Sequence, residues 1–177
     1  MDSKNLEEVL DKYAKYVVQQ SKSNLTKDNK GDGALYKSIG YDLTIEAKAI
    51  LLDFLMEDYG QFVDEGVRGA NPSLVKGGRQ KAPTSRFKYS NKMPPMKMLA
   101  DWAKKKNIRF RNAKGQFKKG SNISMGFALQ KSIFAQGLKG NEFFTKPFNK
   151  GLFDLPDELM NAFILDIEKA IILGTKK

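Results

Sequence analysis

Five carboxylates crowd one short span of the chain: Asp53, Glu57, Asp58, Asp64 and Glu65. Two or three such groups around a magnesium ion could run a metal-dependent nuclease. Their placement argues otherwise. Asp53 falls on an expected strand and the other four on a turn with mixed facing, so a solvated acidic surface is the simpler reading. The chain has no histidine and no cysteine. Their absence removes the commonest general base, the Ser-His and Cys-His pairs, disulfides and thiolate metal sites. The stretches GLKGNEFF and VKGGRQK hold glycine and lysine but lack the G-x-x-x-x-G-K-[ST] order that wraps a phosphate. No catalytic, metal-ligating or cofactor-binding residue is assigned, and neither an enzyme nor a cofactor is expected.

The charge is more informative. The 177 residues carry a net charge of +11, yet Lys76 to Lys119 alone holds fifteen Lys or Arg against one acid, Asp101. That block is +14 and the remainder −3. Phe87, Tyr89, Trp102, Phe110 and Phe117 are interleaved with the cations. Cations for phosphates and aromatic rings for bases make a composition suited to single-stranded nucleic acid. The block has no RNP signature, zinc-finger spacing or clear helix-turn-helix. An acidic protein surface would answer the same charge. Arg79, Lys81, Arg86, Lys88, Arg109, Arg111, Lys118 and Lys119 are the candidate interface residues of this arm.

The elements that must position these groups can be read from periodicity. Leu6, Val9, Leu10, Tyr13, Tyr16 and Val17 mark one face of a helix over 6–20. Residues 21–33 read as a turn-rich loop, and GALYKSIG as a helical turn entering a strand. Ile39 to Glu46 alternates, Ala47 and Lys48 turn, and Ala49 to Met56 returns, which gives an antiparallel hairpin. Residues 70–92 are rich in Gly, Pro, Ser and cations and read as a long exposed loop. Pro94 and Pro95 start a helix with Met96, Leu99, Ala100, Trp102 and Ala103 on its apolar side. A basic hairpin is expected around Ala113 to Gly115. Ser121 or Asn122 caps a further helix whose buried side is marked by Ile123, Phe127, Ile133, Phe134 and Leu138. Gly137 and Gly140 end it, and Phe143, Phe144, Pro147 and Phe148 form an aromatic cluster; a last helix follows Asp154 and Pro156, carries Leu159, Phe163, Ile164, Ile167, Ala170 and Ile171 on one face, and ends at Gly174. The expected fold class is α+β: an N-terminal helix, a β-hairpin or small sheet, a long basic insertion over 70–120, and two C-terminal helices, all in a single domain of 1–177. No apolar run is long enough to span a membrane, and MDSKNLEEVL shows no secretory signal.

The order of these features carries more than any one of them. G-A-L-x-x-S-I (Gly33, Ala34, Leu35, Ser38, Ile39) leads into the hairpin, and Y-G-x-F-V-x-x-G (Tyr59, Gly60, Phe62, Val63, Gly66) follows it. After the insertion comes S-I-x-x-x-G-x-K-x-x-x-F-F-x-x-P-F (Ser132, Ile133, Gly137, Lys139, Phe143, Phe144, Pro147, Phe148), then an amphipathic helix. This order resembles the small neck or tail-completion (head-tail joining) proteins of tailed bacteriophages. The insertion between Ala70 and Lys119 is longer and more basic than that family's usual step. The resemblance implies a non-catalytic virion protein, assembled in the host cytoplasm, that forms a homo-oligomeric ring between portal and tail. It implies portal-side and tail-side virion proteins as partners, with weak contact to DNA in the ring bore and no membrane.

Overall fold

The computed structural model describes residues 3–28, 31–46, 49–118 and 120–175. The fold is α+β, with six α-helices and two separate two-stranded antiparallel sheets among those residues. The chain forms two compact units, one of Met1–Gly60 with Glu142–Lys177 and the other of Gln61–Asn141. The division also separates charge. The first unit has thirteen Lys or Arg and seventeen acids, net −4; the second has eighteen against three, net +15.

The first unit holds α1 (Lys4–Lys27), α2 (Ala34–Ser38), β1 (Gly40–Ile45), β2 (Ile50–Leu55) and α6 (Thr145–Thr175). α1 outruns the expected 6–20 helix because Ser21 and Leu25 continue the stripe of Val17 at four-residue spacing, and all three are fully buried. That burial outweighs the weak helix preference of the SKSN stretch. β1 and β2 pair with Gly40 opposite Leu55 and Ile45 opposite Ile50. The connecting Ala47 and Lys48 lie outside the described residues. On the inward face of β2, Leu52 and Phe54 pack on the core formed by Tyr13, Val17 and Leu155, together with Phe144 and Phe148. The Phe54 ring meets those of Phe144 and Phe148 edge-on at 5.3 and 5.8 Å. The aromatic cluster therefore does join the last helix to the hairpin.

That helix starts earlier than expected. α6 begins at Thr145 rather than after Pro156, so the cluster forms its first turns and Pro156 lies inside it. Pro147 is buried in the first turn, where a missing N–H costs no helical bond. Pro156 forfeits one such bond, but Leu155, Leu159 and Ala162 around it carry the helix along α1.

The second unit holds α3 (Gly60–Glu65, entered from Gly60), β3 (Gly66–Arg68), α4 (Met96–Lys105), α5 (Asn122–Gln136) and β4 (Gly137–Lys139). The glycines after α5 do not make a turn between helices; they start a strand, β4, paired with β3 so that Gly137 faces Arg68 and Gly66 faces Lys139. Both glycines have φ in the left-handed region, 85° and 77°. α4 packs against α5, and Gly126 lets them close, since a Cβ there would stand 2.8 Å from the Ala100 Cβ. Small residues at this crossing bury Met125 and Gly126 and leave Ile123 and Phe127, expected inside, exposed; Leu138, also expected inside, is exposed on β4. Trp102 likewise faces outward, at 47% exposure. Among the described residues, no helix is long and apolar enough to cross a membrane.

Candidate interaction surface

The basic segment begins where β3 ends. Residues 70–92 have little regular structure beyond a 3-10 turn at Pro72–Leu74, yet they are tied down at several points. The Gln80 side chain stands in for a strand: its Oε1 accepts from Gly69 N at 2.6 Å and its Nε2 donates to Gly69 O at 3.2 Å. Lys81 N donates to Gln136 O at the end of α5. Ser85 is buried, donates to Gly66 O at 2.8 Å and accepts from Phe87 N. Residues 87–89 then run parallel to β3, with Arg68 N donating to Phe87 O and Tyr89 N to Arg68 O. Burial raises the pKa of the Tyr89 phenol.

The candidate cations fall into distinct settings. Arg79, Lys81 and Lys88 are exposed on this tethered segment. Arg86 is engaged: it pairs with Glu65 at 2.9 Å, donates to Gln61, and lies over the Phe87 ring, which meets Phe62 edge-on at 4.5 Å. Lys119 lies outside the described residues. Arg109, Arg111 and Lys118 come together on the expected hairpin. Arg111 bridges antiparallel to Phe117, and Lys118 N donates to Phe110 O. The turn is built by Asn112, whose Oδ1 accepts from the backbone N of both Lys114 and Gln116, while Arg111 donates to Gly115 O. Both guanidinium groups lie over the Phe117 ring, Arg111 at 4.5 Å and Arg109 at 5.8 Å. Cation–π contact holds the two arginines side by side without neutralising them.

Behind the hairpin, Arg109, Phe110, Phe117 and Lys118 line a groove of about 510 Å³ with Ser121, Asn122 and Met125 of the α5 start. Ser121 caps that helix, its Oγ accepting from Ser124 N at 3.1 Å. The groove thus offers cations, an aromatic ring that is 61% exposed, and a helix N-terminus. It can attract an anionic chain or an acidic protein surface. Comparison with protein-family models, with curated proteins and with solved structures finds no match to this chain.

The carboxylates do not assemble. Asp53 faces solvent on β2 opposite Asp42, Glu57 and Asp58 are exposed beyond the hairpin, Asp64 is buried on α3, and Glu65 binds Arg86. Among the described residues no group of three acids is placed to hold a metal ion.

The sequence landmarks occupy joints of the fold. Gly33 precedes α2, and Leu35 and Ile39 are buried. Tyr59 Oη accepts from Leu35 N at 3.0 Å, and Ser38 Oγ accepts from Glu57 N while donating to Leu35 O. Phe143, 1% exposed, accepts through its carbonyl from the Asn24 side chain. What sequence reasoning missed is the outer surface of α6. Phe153 is 86% exposed, and Met160, Ile164 and Ile171 are exposed on the same side, away from Leu155, Ala162 and Asp166. The signal was present, since 159–172 is apolar nearly all round, a pattern that asks for partners on more than one face.

Proposed function

We propose that this chain is a structural virion protein of a tailed phage, a head-tail connector that forms an oligomeric ring in the neck between portal and tail. One observation carries the reading. Motif steps that resemble the neck and tail-completion proteins are distant in sequence, yet two pairs of their residues meet: Leu35 with Tyr59, and Gly66 with Lys139. Motif residues thereby sit at two contacts of the fold, one beside α2 where the chain enters the β1–β2 hairpin and one in the β3–β4 pair. The role is structural rather than catalytic, and the partners are further copies of the chain and the virion proteins on the portal and tail sides. The test is co-assembly of the purified protein with its portal-side partner, followed by electron microscopy.

A second reading is favoured by the Arg109–Phe117–Arg111 arrangement and its groove. This hairpin has the composition of a nucleic-acid contact, and in a ring it would touch DNA weakly as the genome passes.

A further inference from the structure

We infer that the exposed stripe of α6 is a docking surface for the outer face of α4 on a second copy of this chain, a head-to-tail contact. This deepens the ring reading and rests on it for the biological setting, but it stands on separate observations.

The stripe is Phe153, Met160, Ile164 and Ile171, at 86%, 61%, 47% and 60% exposure. Steps of seven, four and seven residues keep these side chains on one line of the helix, about 27 Å from end to end. The opposite line, Leu155, Ala162 and Asp166, is already buried. An exposed apolar line of that length marks an interaction site. The exposed charges along it are acidic: Asp154, Asp157 and Glu168. The one cation in that stretch, Lys169, donates to Asn5 Oδ1 at 3.2 Å.

The occupant must therefore offer apolar side chains among cations. α4 has that face. Met98 and Trp102 are one turn apart, at 69% and 47% exposure, flanked by exposed Lys97 and Lys105 and a single acid, Asp101. Its other side, Ala100 and Ala103, is buried. Tryptophan and methionine are enriched at interface cores, and the lysines answer the α6 carboxylates. Pairing α6 with α6 would instead set acid against acid. The opposite net charges of the two units, −4 and +15, favour the same head-to-tail sense. A heterologous contact of this kind leaves each copy one free face of each sort and closes into a ring when the rotation permits.

The absence of cysteine makes the test direct. Full-length N161C and D101C proteins, each altered at an exposed position beside one stripe, are mixed and treated with a short bis-maleimide. The expected result is a cross-linked dimer that forms in the mixture and not in either protein alone. Adding Asp157→Lys and Glu168→Lys to the N161C chain should lower the yield about tenfold, and Lys97→Glu with Lys105→Glu on the other chain should restore it. A dimer from N161C alone would show α6 against α6 and overturn the inference, as would no cross-link in the mixture. Light scattering and portal co-assembly of the unaltered chain keep the ring reading separate. Multimers or co-assembly without the mixed cross-link sink this interface alone, and a mixed cross-link without portal co-assembly sinks the neck reading alone.

Discussion

Asp166 on α6 accepts hydrogen bonds from Asn5 through both its backbone N at 3.2 Å and its side-chain Nδ2 at 2.6 Å, and its second oxygen accepts from Leu6 N at 3.2 Å. Ser3, at the cap position of α1, makes no side-chain cap bond. The first turn of the N-terminal helix is thus capped by a carboxylate 161 residues away that is only 2% exposed. A helix N-terminus carries partial positive charge and free N–H groups, so the carboxylate satisfies both.

Replacing Asp166 with Ala leaves those donors without their acceptor and is expected to cost about 2 kcal/mol of unfolding free energy. Asp166→Asn, which keeps an acceptor oxygen, should cost less. Urea denaturation followed by circular dichroism checks both; equal stability of D166A and the parent would remove the capping account.

Tyr41 on β1 reaches α1 by donating to Asp11 at 2.6 Å, and Lys15 pairs with the other oxygen at 2.6 Å. The Lys15 hydrogen bond first, then that of Tyr41, hold the Asp11 pKa below its ordinary value. A lowered acid contributes stability above its ordinary pKa and loses it as pH falls through the lowered one. Lys15 and Tyr41 are both raised, chiefly by the hydrogen bond to Asp11. Their contributions hold below their ordinary values and fade as pH rises through the raised ones. Tyr41→Phe should move the Asp11 carboxyl titration upward, read by NMR; an unchanged titration would deny the contact a role.

Gly137→Ala is expected to cost about 2 kcal/mol or more. Its φ is left-handed, and an added Cβ would press on the backbone of Val67, Arg68 and Gly69. Gly77 is a control, since its φ is 68° but a Cβ there would meet nothing within 4 Å. Gly77→Ala should cost about 1 kcal/mol, the conformational part alone. Similar costs in thermal or denaturant melts would show that the close strand contact is unimportant.

For the basic hairpin, a salt titration with single-stranded DNA should give a logarithmic slope of about −2, from three cations at Arg109, Arg111 and Lys118. Arg111→Ala should reduce the slope by about 0.7, and Phe117→Ala should weaken binding by about 1 kcal/mol or more without changing it. A flat salt response would remove the nucleic-acid reading and leave an acidic protein surface as the partner of this hairpin.

The sequence made the α+β class, the Tyr41–Phe54 hairpin and the capped start of α5 legible because each is set by local pattern. It hid features that depend on contacts between distant residues. Ser21 is polar, so nothing local announces that α1 continues under burial to Lys27. Pro156 reads as a start signal, yet the Phe144 and Phe148 contacts to Phe54 extend helix on its N-terminal side. Periodicity places Met96, Leu99, Ala100 and Ala103 correctly on the inner side of α4, but not Trp102, Ile123 and Phe127, which face outward because Gly126 and Ala100 set the crossing. In the candidate surface, the hairpin cations were found by composition. The binding of Arg86 to Glu65 was not, since it depends on α3 meeting the segment beside β3.

We propose that the chain builds a ring at the head-tail joint. Electron microscopy of this protein assembled with its portal-side partner tests it most directly. A closed ring of identical copies at the portal's tail-facing end is the expected result, and a partner surface that stays bare at saturating protein would contradict the proposal.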